Sequence, residues 1–375
     1  MPDTDPVGMP PRDGISRRRF LGFGAAAATL ALLGRAGAQY QGVPGRDSVV
    51  ISENGVNPAQ LVSGAFEALG GIRSFISPGD VVLLKPNASF SIGPEIGANT
   101  NPEVVSAVTS LCLQAGADRV VVADHTLGRL GRDVIRINGI GEAVEACGGE
   151  FMTLDSRSDY EAREIAGGNV LKSVDSAKVI SDSDVLINLP VLKNHDATGA
   201  SVGLKNLMGL VYDRAVFHRE GLWATIADLA LAIRPDLTIV DAVNVMTKNG
   251  PRGQPDPGHQ FLNRVVAGVD PVAVDVASLS MVSSLGYTDF EVSENRNNYL
   301  RYAADLGVGD GNPSSVNEKT FLWDSTEGDA KCVVQTEGLE VPGWAPYAAL
   351  SGASIALGGA AILYDRRSGD VRKKG

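Results

Sequence analysis

Cysteine is scarce in this chain, with three residues in 375, at positions 112, 147 and 332. They lie far apart and form no C-x-x-C pair. That excludes a cysteine-ligated iron–sulfur cluster or zinc site of the usual spacing, and it provides no disulfide framework. Cys112 falls in an apolar helical pattern and reads as a buried, inert thiol. Aromatic residues make up only 6 % of the chain, and basic residues are outnumbered 33 to 44 by acidic ones, for a formal charge of −11. Without a basic stripe interleaved with aromatics, such a balance argues against nucleic acid as a partner. The phosphate loop G-x-x-x-x-G-K-[ST] is missing, as is a G-x-G-x-x-G turn between the first strand and helix. Histidine occurs four times, at 125, 195, 218 and 259, with no H-E-x-x-H spacing to mark a metal site.

What is present begins with an address. Ser16-Arg17-Arg18-Arg19-Phe20-Leu21 matches the twin-arginine export pattern and precedes a short alanine-rich apolar stretch and Ala36-Gly37-Ala38. Residues 1–38 are therefore expected to be a twin-arginine signal peptide cleaved after Ala38, with the export machinery as a partner. At the other end, residues 344–364 carry no charge. As a helix they would span about 31 Å, close to the hydrocarbon thickness of a bilayer. A transmembrane helix is expected over 341–364, with Trp344, Tyr347 and Tyr364 as interfacial aromatics. The tail 365–375 holds Arg366, Arg367, Arg372, Lys373 and Lys374 against Asp365 and Asp370, so it is expected to stay in the cytoplasm with the domain outside. Between these ends, 39–340 forms the expected domain.

That domain alternates strand and helix. Apolar runs at 48–52, 81–84, 119–123, 185–189, 237–240 and 263–269 read as strands. Asn57-Pro58 and Asn101-Pro102 read as helix starts, the asparagine capping and the proline occupying the first turn. Residues 160–178 fit either a hairpin or an insertion. The expected fold class is α/β, a mostly parallel sheet with helices on both faces.

The densest chemistry lies between Asp184 and Leu210. An apolar strand ends at Pro190, and a polar loop with Lys193, Asn194, His195 and Asp196 is expected to follow. A small-residue helix then carries Lys205 and Asn206. Strand, cationic loop and helix start is a layout that presents donors to an anion. Other strands end in Lys85-Pro86-Asn87, Asp124-His125, Asp241 with Asn244, and Asp270. In open α/β sheets such ends converge on one ligand site. Arg252, in the glycine-rich segment 249–259, can hold a carboxylate or phosphate at two points. All four histidines are expected in loops. His125 and His195, with Asp124, Asp241 or Asp270, suit an acid–base pair or a divalent metal, although Asp270 before Pro271 equally suits a helix cap. Ser201 sits in Gly199-Ala-Ser-Val-Gly203, which matches the letters of a nucleophile elbow, but with the strand ending at Leu189 the required strand-to-helix context is not expected.

Several of these segments resemble the DUF362 family, a domain of unknown function. They are Leu84-Lys-Pro-Asn87, Asn99-Thr-Asn-Pro102, Val122-Ala-Asp124, Val185-Leu-Ile-Asn-Leu-Pro-Val-Leu-Lys-Asn-His195, Thr198-Gly-Ala-Ser-Val-Gly-Leu-Lys-Asn-Leu-Met-Gly209 and Ala267-Gly-Val-Asp-Pro-Val-Ala-Val-Asp275. The resemblance runs from about residue 49 to 310 and implies an α/β domain with a site in the lysine–asparagine segments. It names no cofactor. Some relatives carry a ferredoxin-like cysteine cluster after the domain, and the three cysteines here do not form one.

Together these readings lead to an expectation of an exported, membrane-tethered α/β protein that binds a small anionic or carboxylate-bearing ligand. The residue types allow acid–base or metal-assisted chemistry, and a non-catalytic accessory subunit of a membrane redox complex is the alternative. Lys193, His195 and Lys205 are the candidate catalytic residues. Lys85, Asn87, Asp124, His125, Asn206 and Arg252 are the candidate ligand-binding residues, and no metal ligand is assigned.

Overall fold

Three apolar runs expected as strands become the middle of one sheet, and their alternating side chains supply two cores. The computed structural model describes residues 48–55, 57–127, 131–312, 317–322, 332–334, 362–364 and 371–373. In chain order the first elements are β1 (Ser48–Glu53), α1 (Pro58–Ala68), β2 (Val81–Pro86), α2 (Pro102–Ala115), β3 (Arg119–Asp124), α3 (Gly131–Ile137), α4 (Ile140–Ala146) and β4 (Glu150–Thr153). Next come β5 (Tyr160–Glu164), β6 (Ser173–Ala177), β7 (Val185–Leu189), β8 (Val191–His195), β9 (Gly199–Ser201) and α5 (Gly203–Asn206). The remainder are α6 (Ala215–Glu220), α7 (Leu222–Ala232), β10 (Leu237–Met246), β11 (His259–Gly268), α8 (Pro271–Ser283), α9 (Tyr299–Asp305), β12 (Asn317–Leu322), β13 (Cys332–Val334), β14 (Ile362–Tyr364) and β15 (Val371–Lys373).

The main sheet has the order β12-β1-β11-β10-β7-β2-β3-β4, with β8 and β9 branching from β10. Parallel pairing joins β12 to β1 and links β10, β7, β2, β3 and β4 in series. Only β11, against β1 and β10, and β9, against β8, run antiparallel. The fold is thus the expected α/β class. Because successive side chains on a strand point to opposite faces, Val82 and Leu84 enter one core with Leu61 of α1 and Val104 of α2. Leu83 enters the other with Leu204 of α5, Leu229 of α7 and Val276 of α8. Burial on both faces explains why these strands read as unbroken apolar runs rather than alternating ones. Each large aliphatic side chain so buried contributes about 1.5–3 kcal/mol.

The helix starts follow the expected chemistry. Asn57 Oδ1 accepts from the Gln60 amide at 3.0 Å, and Asn101 Oδ1 accepts from the Glu103 amide at 2.9 Å. Each satisfies a donor that the first helical turn leaves without an intrahelical partner. Residues 160–178 form a hairpin, β5 against β6. Burial pushes the Cys112 thiol up to about 12, in keeping with an inert sulfur.

Several expectations are corrected. Residues 191–195 are a strand, not a loop: β8 pairs with β10 on one side and β9 on the other, and every residue in it is buried. Pro190 interrupts the ladder only locally. Of the histidines, His195 ends β8, His218 lies in α6 and His259 opens β11. Asp270 follows an antiparallel strand, so it emerges at the edge opposite to Lys85 and Asp124. There it caps α8, accepting from the Val272 and Ala273 amides at 2.9 and 3.0 Å. Asp241 lies within β10 and ties it to the start of α2 through the Asn101 amide at 2.7 Å.

The expected signal peptide lies outside the described residues. So do the expected terminal helix and the basic tail, apart from Ile362–Tyr364 and Val371–Lys373. Those two segments are strands, β14 pairing with both β13 and β15, so 362–364 are not the end of a helix. Among the described residues no helix is long and apolar enough to cross a membrane.

Candidate functional site

The carboxyl ends of β2 and β3 bring Lys85 beside Asp124. Both are fully buried, with Lys85 Nζ 2.9 Å from Asp124 Oδ1. The ammonium also donates to the Pro86 carbonyl at 2.6 Å. Asp124 Oδ2 is held by the Ala88 amide at 2.7 Å and the Ser89 hydroxyl at 3.3 Å. Burial lowers the Lys85 pKa, Asp124 pulls it back up, and the Arg214 charge lowers it again.

Behind this pair a buried amide chain fixes α5. The Asn206 amide donates to the Lys85 carbonyl and to Asn188 Oδ1, both at 2.9 Å, and Asn188 donates to the Gly203 carbonyl at 3.0 Å. Asp275 of α8 meets the first turn of α5, accepting from the Gly203 and Leu204 amides at 2.8 and 2.9 Å. Both donor hydrogens of Asn206 are therefore engaged within the protein, leaving Oδ1 as its free polar atom. Asn87 differs: its Oδ1 is buried with no hydrogen-bond partner among the described residues.

Lys193 points inward from β8. It is 1 % exposed, donates to the Ala98 carbonyl, and lies 4.7 Å from the centre of the Phe90 ring. Among the described residues no carboxylate pairs with it. Arg252 approaches the same ring at 5.5 Å. Burial sets the Lys193 pKa well below the lysine range; the Lys205 charge depresses it further, Asp124 opposes, and Lys85 depresses it again. The Lys205 and Lys85 charges are thus both near enough to act on Lys193. Lys205 is the accessible member, partly exposed on α5. Its pKa is lowered to about 8 by burial, against the pull of Asp196 and with the push of Arg214.

His195 ends β8 next to these lysines. Burial, then Lys205, Lys193 and His218, pull its pKa down to about 2, so the ring is neutral at ordinary pH. Asp196 Oδ1 lies 3.1 Å from Nδ1. The Ala197 amide donates to His195 Nδ1 at 3.1 Å and to Asp196 Oδ1 at 2.7 Å, so in the neutral ring Nδ1 is the acceptor and Nε2 carries the proton. Asn194, between the two, is structural. It donates to Asp289 at 2.8 Å and accepts from the Gly250 amide at 2.8 Å, tying β8 to two loops.

His125 follows Asp124 at the end of β3. Its Nδ1 is 3.3 Å from the Val211 carbonyl, and its ring stacks on Tyr212 with centroids 6.3 Å apart. Burial and Arg214 lower its pKa against Val211, Asp124 and Asp155. Tyr160 packs against both rings. Arg214 acts electrostatically on Lys85, His125, Lys205 and Tyr160 and donates to the Thr126 carbonyl at 3.4 Å. Sequence reasoning missed Arg214, Phe90 and Tyr212. The one available signal was the position of Tyr212-Asp-Arg214 just after the lysine–asparagine helix.

Ser201 closes β9 directly before α5, a strand-to-helix junction where a long loop was expected. Its backbone is not in the left-handed region, and no histidine or acid bonds to it among the described hydrogen bonds, so an elbow is not formed. Among the described residues no three histidine, cysteine, aspartate or glutamate side chains gather as a metal site.

Residues 82–280, which include every one of these side chains, match the family described as Domain of unknown function (DUF362). The chain belongs to the DUF362 family. A thylakoid-associated protein of Synechocystis sp. is 33 % identical over 229 residues, covering 57 % of this chain and 68 % of that one. Among solved structures, the lactate racemase apoprotein of Thermoanaerobacterium thermosaccharolyticum is 14 % identical with a TM-score of 0.35, covering 59 % of this chain and 54 % of its own. A Thermotoga maritima protein is 13 % identical with a TM-score of 0.38, covering 61 % and 58 %. The chain thus spans little more than half the length of either solved structure.

Proposed function

We propose that this DUF362 protein binds a small anionic, carboxylate-bearing ligand in the hollow between Lys193, Lys205 and Arg214, and acts on it by acid–base chemistry through His195. One observation carries the reading: Lys193 is a fully buried cation-forming group that, among the described residues, has no carboxylate partner. An ammonium in that position is costly unless a countercharge joins it, and an anion in the hollow supplies one. Asp124 does not fill that role, because it is already engaged by Lys85 and two donors from the loop after β2. A neutral His195 beside the lysines can donate an Nε2–H hydrogen bond to the bound anion, whose charge would raise the ring's pKa toward the range in which it transfers protons.

The proposal extends to location. The twin-arginine pattern before Ala38 and the uncharged segment 344–364 support an exported domain tethered to a membrane. The thylakoid association named for the Synechocystis relative is in keeping with a membrane setting.

Titration calorimetry with oxalate and with inorganic phosphate tests the binding. Oxalate is expected to bind, and its affinity to fall about tenfold per pH unit above pH 8 as Lys205 loses its charge. Lys193→Met should weaken it at least tenfold. Absence of heat with both anions at neutral pH would remove the reading. Binding by a protein with no turnover on any hydroxy or oxo acid, unchanged in His195→Ala, would instead favour a non-catalytic accessory module.

A further inference from the structure

We propose that the loop 88–99, between β2 and α2, is a lid on the anion site and must swing off Lys193 before a ligand can meet that ammonium. The inference rests on the anion-binding reading and adds how access to the site is controlled.

Lys193 is 1 % exposed, so no solute reaches it while the loop is in place. Two groups of the loop cover it. The Ala98 carbonyl accepts from its ammonium, and the Phe90 ring centre lies 4.7 Å from Nζ. From outside the loop, Arg252 meets the same ring at 5.5 Å. The lysine itself has little freedom to come out, because β8 is buried and paired to β10 on one side and β9 on the other. The cover has to move instead.

The loop is built to move as one piece. Its neck is closed: the Thr100 amide donates to the Asn87 carbonyl at 2.9 Å, and the Asn87 amide donates to Thr100 Oγ1 at 2.8 Å. Thr100 Oγ1 donates in turn to the Leu189 carbonyl at 2.7 Å, which fixes the neck to β7. Ala88 and Ser89 are pinned on Asp124 Oδ2. Beyond them Asn99 reaches across the loop. Its Oδ1 accepts from the Phe90 amide at 2.9 Å, and its Nδ2 donates to the Phe90 and Ile92 carbonyls, both at 3.0 Å. Ends that meet and an interior filled by the segment's own groups are the marks of an Ω-loop.

Residues 90–98 are only lightly attached to what lies under them. Phe90, Ala98 and Met246 form a small apolar cluster, with Ile92 and Ile96 against it, separate from both large cores. Among the described residues, two hydrogen bonds join this piece to the fold outside the loop: Lys193 to Ala98, and the Asn244 amide to the Glu95 carbonyl at 3.0 Å. A segment with so few ties opens at far lower cost than the sheet beneath it. On opening, the ammonium exchanges the Ala98 carbonyl and the Phe90 face for the anion.

The experiment locks the loop. A Cβ added to Gly253 would stand 2.9 Å from Ile96 Cγ2, which puts cysteines at these two positions within bridging reach. The full-length Ile96→Cys/Gly253→Cys protein is titrated with oxalate by calorimetry, reduced and oxidised, with the bridge read by intact mass. Reduced, it should match wild type to within about threefold; oxidised, its affinity should fall by at least about tenfold and return with dithiothreitol, because the competent population is removed. Equal affinity in the two states overturns the lid and leaves the anion reading standing. Wild-type and reduced proteins that both fail to take up oxalate overturn both. Gly253 sits at φ 72°, where a side chain is strained. Should that spoil the fold, the bridge or binding by the reduced form, Asn244→Ala decides. Lys193 in that variant should react with cyanate about fivefold faster than in wild type by peptide mapping, the shift expected when the closed loop loses one hydrogen bond. Equal rates overturn the lid.

Discussion

Gly209 lies against Asp124 so closely that a Cβ added to it would stand 2.1 Å from Asp124 Oδ1 and 2.8 Å from Lys85 Nζ. The segment after α5 therefore closes directly over the buried ion pair, and its carbonyl also receives the His125 amide at 3.0 Å. Gly209→Ala is expected to lower stability by about 1–3 kcal/mol through overpacking, read as a drop in the urea midpoint at constant slope. The same variant should weaken oxalate binding, because the pair cannot move without shifting the floor of the hollow. A midpoint within error of wild type would mean the segment relaxes away without cost.

The ion pair itself makes a sharper test. Asp124→Ala leaves Lys85 buried without its carboxylate and should cost about 3–5 kcal/mol, whereas removing both charges in Lys85→Met with Asp124→Leu should recover much of that loss. A double-mutant cycle in urea denaturation measures the coupling. If the double variant is as unstable as the sum of the singles, the pair contributes nothing as a pair.

Two buried groups give opposite pH dependences over nearly the same range. Asp275 is raised to about 7 by burial, against the hydrogen bonds from Leu204 and Gly203. Its folded pKa exceeds its unfolded value of 3.8, so its contribution is complete below pH 4 and is lost as pH rises through 7. His195, lowered from 6.5 to about 2, works the other way. The unfolded chain binds that proton and the folded one does not, so its contribution is present above 6.5 and is lost as pH falls toward 2. Wild-type stability between pH 4 and 6.5 should therefore be flatter than either group alone would make it. In Asp275→Asn the Asp275 effect is lost while that of Asp241, raised to about 6 by burial, remains beside the histidine's, so from pH 4 to 6.5 the stability of the variant should gain on that of wild type by a few kcal/mol, at about 1.4 kcal/mol per pH unit. Chemical denaturation at half-unit pH steps checks this, and parallel curves for the two proteins would refute it.

Much of the fold could be read locally. Asn57-Pro58 and Asn101-Pro102 mark helix starts because an asparagine oxygen and a proline both answer needs of the first turn, whatever surrounds them. The doubly apolar β2, β3 and β7 announce a buried parallel sheet for an equally local reason. Lys85 and Asp124 were legible as strand-end residues because a charge that follows four apolar residues has few places to go. By contrast, β8 was read as a loop, since Pro190 and the polar Lys193-Asn194-His195 run look irregular until β9 and β10 pair with them. Asp270 was placed with the site because strand direction is not written in a strand's own residues.

What the sequence determined by itself, then, is most of the elements, the caps of α1 and α2 and several strand ends on which charged groups sit. The tertiary structure alone decided which of those ends share an edge, because direction and order depend on pairing between segments far apart in the chain. It alone also decided that Arg214, far from both in sequence or in element, comes within electrostatic reach of Lys85 and Lys205. Burial and neighbouring charge, which alter lysine and histidine chemistry most, are properties of that assembly and of no single segment within it.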